Sequence, residues 1–210
     1  MHISRSILAL ASLAIVLVLS APRARSASST LTLAEQEVIE ALIPQDSATM
    51  ASKKHVIKET TSVRLMLLSY ESYDTFAEEL RQAANARDQA FREALDDFLK
   101  KNRTATQIVF ATNTLKSIEL VSNATLKEIF SGKHDVKPDG WDIFYQRFHD
   151  SDGLITISRV GLDSKGTVAI IYLGKQSGYT TGRDSIRVLR RESGKWVLKE
   201  HERIGPRGVS

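Results

Sequence analysis

Apolar residues recur at helical spacing in several parts of this chain, and the first such run begins just after Thr32. Thr32 and Glu35 have the T-x-x-E spacing of a capping box, in which each side chain accepts a hydrogen bond from the backbone N–H of the other residue. The pattern predicts a helix over 33–42. Pro44 ends this helix, because proline cannot continue the hydrogen-bond ladder of a helix interior.

The longest helical pattern covers residues 73–101, where aromatic and aliphatic residues share one face and charged residues lie between them. Asp74 is a candidate N-cap, and Asn85 marks a point at which the run divides into two shorter helices. Two further helices are predicted, one over 123–130 and one after Asp139, which is a helix-capping residue type. Helices therefore dominate the first half of the chain.

The final third of the chain changes to β-rich runs separated by turn residues. Strands are predicted there over 154–161, 167–174, 185–191 and 195–204, and earlier over 55–61, 106–111 and 117–121. The run 167–174 is apolar on both faces, which predicts the central, buried strand. The elements together predict an α+β fold in a single domain, with N-terminal helices and a C-terminal four-stranded antiparallel meander.

The last hairpin has a turn signal specific enough to predict its register. If Ser193 and Gly194 form the two-residue turn, the facing pairs are Arg191 with Trp196, Leu189 with Leu198, and Arg187 with Glu200. The first pair predicts a cation–π contact and the last predicts a cross-strand ion pair.

The first 26 residues have the three-part order of a secretory signal sequence. Arg5 precedes an uncharged run from Ile7 to Leu19, and small and polar residues follow that run. The run is too short for a membrane-spanning helix, which needs about 20 apolar residues. The sequence therefore predicts a signal peptide over 1–26 and one globular domain over 27–210. The mature domain is expected to be secreted or periplasmic, without stable membrane insertion after cleavage.

Charge and cysteine content narrow the classes of function. Removing Arg5, Arg23 and Arg25 from the 29 basic residues leaves 26 against 25 acidic residues, so the mature chain is nearly neutral. That balance gives no basis for a nucleic-acid partner. The absence of cysteine excludes disulfides, thiolate zinc sites and thiol catalysis.

Several blocks of sequence resemble one family of proteins. These blocks are the run GWDIFYQRFHDSDGLITISRVGLDSKGTVAIIYLGKQSG, the later GKWVLKE, and the earlier VIKETTS and DDFLKKN. They resemble a family of small secreted proteins, mostly bacterial, whose function is unknown. The resemblance extends over about residues 32–200 and implies a single α+β domain and export. It implies no activity.

The chain departs from that family at one element. Members of the family commonly carry C-G-x-x-C-G after the central strand, whereas this chain has Ser177-Gly178-Tyr179-Thr180-Thr181-Gly182 there. A disulfide or thiol role in this loop is therefore absent.

A cluster of imidazoles and carboxylates is the strongest candidate for metal-dependent chemistry. It comprises His134, Asp135, Asp139, His149, Asp150 and Asp152. Asp150-Ser151-Asp152-Gly153 begins like a calcium loop, but the twelfth position carries Gly161 and not the bidentate Glu. Aspartate and glycine between a helix and a strand are also ordinary turn formers. No metal or other cofactor is predicted, and His134, His149, Asp150 and Asp152 are the nearest candidates.

The loop after the predicted central strand is the best candidate for ligand binding. It is rich in glycine and poor in apolar residues, and its candidate residues are Gln176, Ser177, Gly178, Tyr179, Gly182 and Arg183. Because no catalytic set is recognisable, the sequence favours a non-enzymatic binding or interaction protein for a small ligand or a cell-surface partner. The alternative is an extracytoplasmic hydrolase or metal-dependent enzyme that uses the cluster of His134, His149 and the neighbouring aspartates. N-glycosylation acceptors occur at Asn102 and Asn123, for a eukaryotic host only.

Overall fold

The computed structural model describes residues 31–46, 54–63, 70–110, 117–132, 136–202 and 204, and the predicted signal peptide lies outside them. The helices in these ranges are α1 (Leu33–Gln45), α2 (Tyr73–Ala84), α3 (Gln89–Lys101), α4 (Asn123–Ile129), α5 (Gly140–Arg147) and a 3-10 turn (Glu200–Glu202). The strands are β1 (His55–Lys58), β2 (Ile118–Val121), β3 (Leu154–Ile157), β4 (Gly161–Leu162), β5 (Val168–Gln176), β6 (Gly182–Glu192) and β7 (Lys195–Leu198).

The strands form one mixed sheet in the order β2-β1-β3-β5-β6-β7, and β4 pairs with β5 where β3 leaves off. β1 runs parallel to both β2 and β3, whereas the pairs from β3 to β7 are antiparallel. The predicted α+β class is confirmed. The predicted four-stranded antiparallel meander is wrong, because the sheet has seven strands and continues past β3. β1 and β2 there satisfy backbone groups that an open edge would leave unpaired.

The sheet is covered by helices on both faces, which is why β5 is apolar on both. Ile170 points into the cluster formed with α2 and α3, and its neighbour Ile171 points to the opposite face, where α1 packs. On β1, Val56 packs with α4 and α5, and Ile57 lies on the α1 face. Within the described ranges, no helix is long and apolar enough to cross a membrane.

The helix boundaries follow local capping chemistry. Thr32 and Glu35 form the predicted capping box, and Pro44 lies in the last turn of α1, so the helix continues slightly past the predicted end. The predicted cap Asp74 is wrong: Ser72 Oγ accepts from the backbone N–H of Thr75 at 3.1 Å, and Asp74 instead pairs with Arg103. The division of the long helical run at Asn85 is confirmed, since Asn85 is the C-cap of α2.

The register predicted for the last hairpin is confirmed at its turn. Ser193 and Gly194 have φ of 48° and 82°, as a two-residue primed turn requires, and Arg191 faces Trp196 with its guanidinium 4.9 Å from the ring centroid. The outer pair is wrong. β7 ends at Leu198, Glu200 begins a 3-10 turn, and Arg187 makes a buried ion pair with Asp46 at the C-cap of α1.

Candidate functional site

The loop that the sequence singles out connects the two longest strands, β5 and β6. Gln176 and Gly182 form the last pair of the ladder, and the backbone N–H of Ser177 donates to the carbonyl of Thr181 at 2.9 Å. These contacts close the loop tightly at one end of the sheet. The predicted ligand residues are therefore neighbours in space, at the rim next to α5.

Helix α5 holds this loop through two tyrosines. Tyr145 Oη donates to the carbonyl of Ser177 at 3.0 Å, and the backbone N–H of Gly140 donates to Tyr179 Oη at 3.1 Å. Gly140 has to be glycine, because a Cβ there would lie 2.4 Å from the Phe130 ring. Burial, with the nearby charge of Asp152, raises the pKa of Tyr145, so its hydroxyl stays protonated and donating. The loop is thus fixed before any ligand arrives.

A small cleft opens beside the fixed loop, with a volume of about 260 Å³. Its lining residues combine hydroxyl, amide, charged and aromatic groups, and they are Lys175, Gln176, Tyr179, Thr180, Thr181, Gly182, Arg183 and Asp184. Of the six predicted ligand residues, four line the cleft. The other two, Ser177 and Gly178, shape the loop: the Gln176 amide donates to the Gly178 carbonyl at 3.2 Å.

Groups of both charge signs lie around the cleft. Lys175, whose side chain is only 12% exposed, forms an ion pair with Asp152. Tyr172 Oη lies 3.3 Å from Asp184 Oδ2, and burial together with that carboxylate raises the pKa of Tyr172, so its hydroxyl remains a donor. The cleft therefore presents both donors and acceptors, and no sign of charge dominates it.

The candidate cluster for metal-dependent chemistry does not assemble among the described residues. His134 and Asp135 lie outside them. Asp139 uses its carboxylate to cap α5, accepting from the N–H groups of Trp141 and Asp142 and from Lys137. His149 Nε2 lies 3.1 Å from Asp150 on the surface, and Asp152 faces Lys175. The described ranges contain no group of three metal-ligating side chains.

Gly153 contributes to the resemblance to a calcium loop, but the structure requires glycine at this position for another reason. Its φ is +146°, and a Cβ would lie 2.4 Å from the backbone oxygen of Gln176. Glycine is therefore needed for the close approach of β3 to β5. Strand packing therefore accounts for Gly153.

The aromatic residues of α5 are largely core. Trp141, Phe144 and Phe148 are buried against β1 and β2 in one cluster, whereas Tyr145 is partly buried and reaches the loop.

The two glycosylation acceptors differ in their surroundings. The Asn102 amide nitrogen donates to the carbonyls of Phe98 and Arg159, both at 2.9 Å, and a glycan there would break these bonds, whereas Asn123 is exposed.

Sequence reasoning missed His55, at the start of β1. Its side chain is 7% exposed, and within the described part of the chain its Nδ1 has no hydrogen-bond partner. Val56 pairs with Leu154, which places His55 beside the Asp152–Gly153 turn, close to the charges of Asp152 and Lys175. Only the folded sheet brings these residues together, so no local pattern could have indicated the group.

Burial of His55 predicts a loss of stability in mild acid. Burial first, and the Lys175 charge in addition, lower the pKa of His55 from 6.5 despite the opposing charge of Asp152. Because the unfolded chain then binds the proton more readily, the free energy of unfolding should fall as pH drops below about 6.5, until the lowered pKa is passed. His55→Gln should flatten this slope in urea titrations between about pH 7 and pH 5.

His201 provides the control for that measurement, because its side chain is 79% exposed. His201→Gln should leave the contribution of His55 to the slope of stability against pH as it is in the parent protein. A slope that His55→Gln does not change would contradict the assignment of acid sensitivity to this buried imidazole.

Comparison with known proteins adds no identity to this geometry: no family model, no curated protein and no solved structure matches the chain.

Proposed function

We propose that this chain is an exported, non-enzymatic binding protein, secreted or periplasmic, which holds a small ligand or a cell-surface partner in the cleft of the β5–β6 loop. The signal-like segment over 1–26 and the resemblance of about residues 32–200 to a family of small secreted proteins support export and membership of that family. The binding site is supported separately, by the geometry of the β5–β6 loop.

The observation that carries the binding function is a loop fixed in advance. Tyr145 and Gly140 of α5 hold it from one side, and the Ser177–Thr181 bond closes it from within. Tyr179, Thr180, Thr181 and Arg183 are nonetheless exposed along the cleft. A rigid, polar surface of this kind loses little conformational entropy when a ligand binds.

The metal-dependent alternative draws less support from the fold. Asp139 is engaged at the N-cap of α5 and Asp152 in the pair with Lys175, so a metal would have to displace existing partners. A nucleophile–base pair of Ser177 and His201 is also disfavoured. Ser177 follows the Gln176–Gly182 pair at the start of β6, whereas His201 follows Lys199, which bonds to Val188, about six residues and about 20 Å farther along that strand.

The test is a screen of small polar fragments by ¹⁵N–¹H NMR on the full chain. We expect binders to shift the amides of residues 176–184, and Arg183→Ala to weaken them by about tenfold, because hydrogen bonds to charged groups are the strong ones. Lys195→Ala is the matched control, since Lys195 is an exposed cation on β7, opposite Glu192 at the far end of β6.

Two results would contradict the proposal. One is a ligand whose affinity is the same for the parent protein and the Arg183 variant and whose shifts map away from the cleft. The other is chemical turnover of a bound fragment, which would show that the protein is an enzyme.

A further inference from the structure

Tyr179 is an aromatic ring that is both exposed and immobilised. It is 44% exposed, yet its hydroxyl accepts from the Gly140 N–H and its backbone lies in the loop closed by Ser177 and Thr181. Large aromatic side chains normally bury their rings or turn them freely in solvent. Here a hydrogen bond from Gly140 holds the Tyr179 ring at the mouth of the cleft.

The groups that surround this ring are polar, planar or hydroxylated. Gln176 offers an amide, Thr180 and Thr181 offer hydroxyls, and Arg183 and Asp184 offer a fork of donors and a pair of acceptors. A cleft that combines an aromatic platform with both donors and acceptors matches a ligand with an apolar C–H face and a rim of hydroxyl groups. Pyranose sugars have this chemistry.

The charge distribution argues against a simple anion. Lys175 and Arg183 contribute two positive charges, and Asp184 in the cleft and Asp152 beside it contribute two negative charges. A site for phosphate or a carboxylate gains from an excess of cations or N–H donors, and here an anion would lie near two carboxylates. A neutral polyhydroxylated ligand meets no such repulsion.

The size of the cleft sets the extent of the ligand. Its volume of about 260 Å³ lies below the 300–1,000 Å³ that is common for drug-sized ligands. The cleft therefore has room for one sugar ring, with the rest of a longer glycan extending into solvent.

Given that the cleft is a binding site, as proposed above, we infer that its ligand is a neutral sugar residue, stacked on the Tyr179 ring and hydrogen-bonded by Gln176, Arg183 and Asp184. The Tyr179 hydroxyl serves the fold and not the ligand. Removing the ring of Tyr179 should therefore weaken binding more than removing only its hydroxyl.

The experiment measures binding of a panel of methyl pyranosides to the full chain by saturation-transfer and ¹⁵N–¹H NMR, with inorganic phosphate as the competing probe. At least one glycoside should shift residues 176–184, with an affinity that hardly changes when salt is raised about tenfold, since no net charge is neutralised. Tyr179→Leu should weaken the binding of that glycoside by about tenfold or more. Tyr179→Phe should lose clearly less affinity than Tyr179→Leu, because it keeps the ring and gives up only the hydrogen bond from the Gly140 N–H.

Leu33→Ala is the control, since Leu33 is an exposed apolar side chain on α1, across the sheet from α5. Circular dichroism of each variant separates loss of binding from loss of fold. If only phosphate shifts the cleft residues, in a salt-dependent way, the sugar assignment is wrong and the binding function stands. If no probe of either screen moves residues 176–184, the binding function fails with it. Equal losses for Tyr179→Phe and Tyr179→Leu would overturn the stacking role of the ring.

Discussion

Replacing Arg187 with Met is expected to lower the free energy of unfolding by about 3–5 kcal/mol, because the substitution leaves the buried carboxylate of Asp46 without its guanidinium. The two side chains are 4% and 0% exposed and form an ion pair between β6 and the C-terminal end of α1. A buried charge that loses its partner keeps the desolvation cost and loses the compensating attraction. Urea denaturation monitored by circular dichroism measures the change.

Arg191 is a matched control on the same strand and the same face. It pairs with Glu37 at 2.7 Å, but the two side chains are 38% and 56% exposed. Arg191→Met should therefore cost about 1 kcal/mol or less, including its contact with Trp196. If the two arginine variants lose equal stability, the buried pair has no special role.

A double replacement tests the mechanism of that loss. Arg187→Met combined with Asp46→Leu removes both charges together, so it should recover most of the stability that either single variant loses. Additive losses in this double-mutant cycle would mean that packing, and not the unpaired charge, causes the destabilisation.

The second large effect is expected at Glu35, whose side chain is fully buried. Its carboxylate accepts from Arg159 at 2.7 and 2.8 Å, from the N–H of Thr32 at 2.9 Å and from the N–H of Val160 at 3.3 Å. Glu35→Gln replaces one accepting carboxylate oxygen with an NH₂ group that faces other donors. We therefore expect the free energy of unfolding to fall by about 3 kcal/mol at pH 7. Glu37→Gln, at an exposed position of the same helix, should cost less than about 1 kcal/mol.

The pH dependence of that loss gives an independent check. Burial raises the pKa of Glu35, but the hydrogen bonds from Arg159 and Thr32 outweigh it and hold the pKa below 4.5. The stabilisation by Glu35 is therefore present above about pH 4.5 and is lost as pH falls through the lowered value. The difference between the parent protein and Glu35→Gln should shrink in the same range. A difference independent of pH would contradict the ionised, paired state of Glu35.

The features that the sequence predicted well are those whose causes lie close together in the chain. Thr32 and Glu35 cap the same helix end, and Ser193 with Gly194 fixes the facing of Arg191 and Trp196, because turn geometry sets the register of a hairpin. The connection between β5 and β6 is local in the same way, since its glycine and polar residues separate two β-rich runs.

The features that the sequence did not predict depend on distant partners. The β-rich run to residue 204 predicts that Arg187 faces Glu200, whereas β7 ends at Leu198. Asp46, the actual partner of Arg187, gives no local sign that it faces the sheet. The β-branched run at His55 predicts a strand, but nothing in four residues specifies parallel neighbours on both sides. The anchoring of Tyr179 by Gly140 was missed for the same reason.

The position of β1 between β2 and β3 has a consequence for the order of folding. β1 occupies residues 55–58, but its two neighbours are at 118–121 and 154–157, so β1 joins the sheet only through long loop closures. The strands from β3 to β7 instead pair with strands that are near in the chain. Loop closures as long as those of β1 slow folding and leave strand edges unpaired in the interval. The exposed edge of β3, waiting for β1, is then the place where partly folded chains would first adhere to each other.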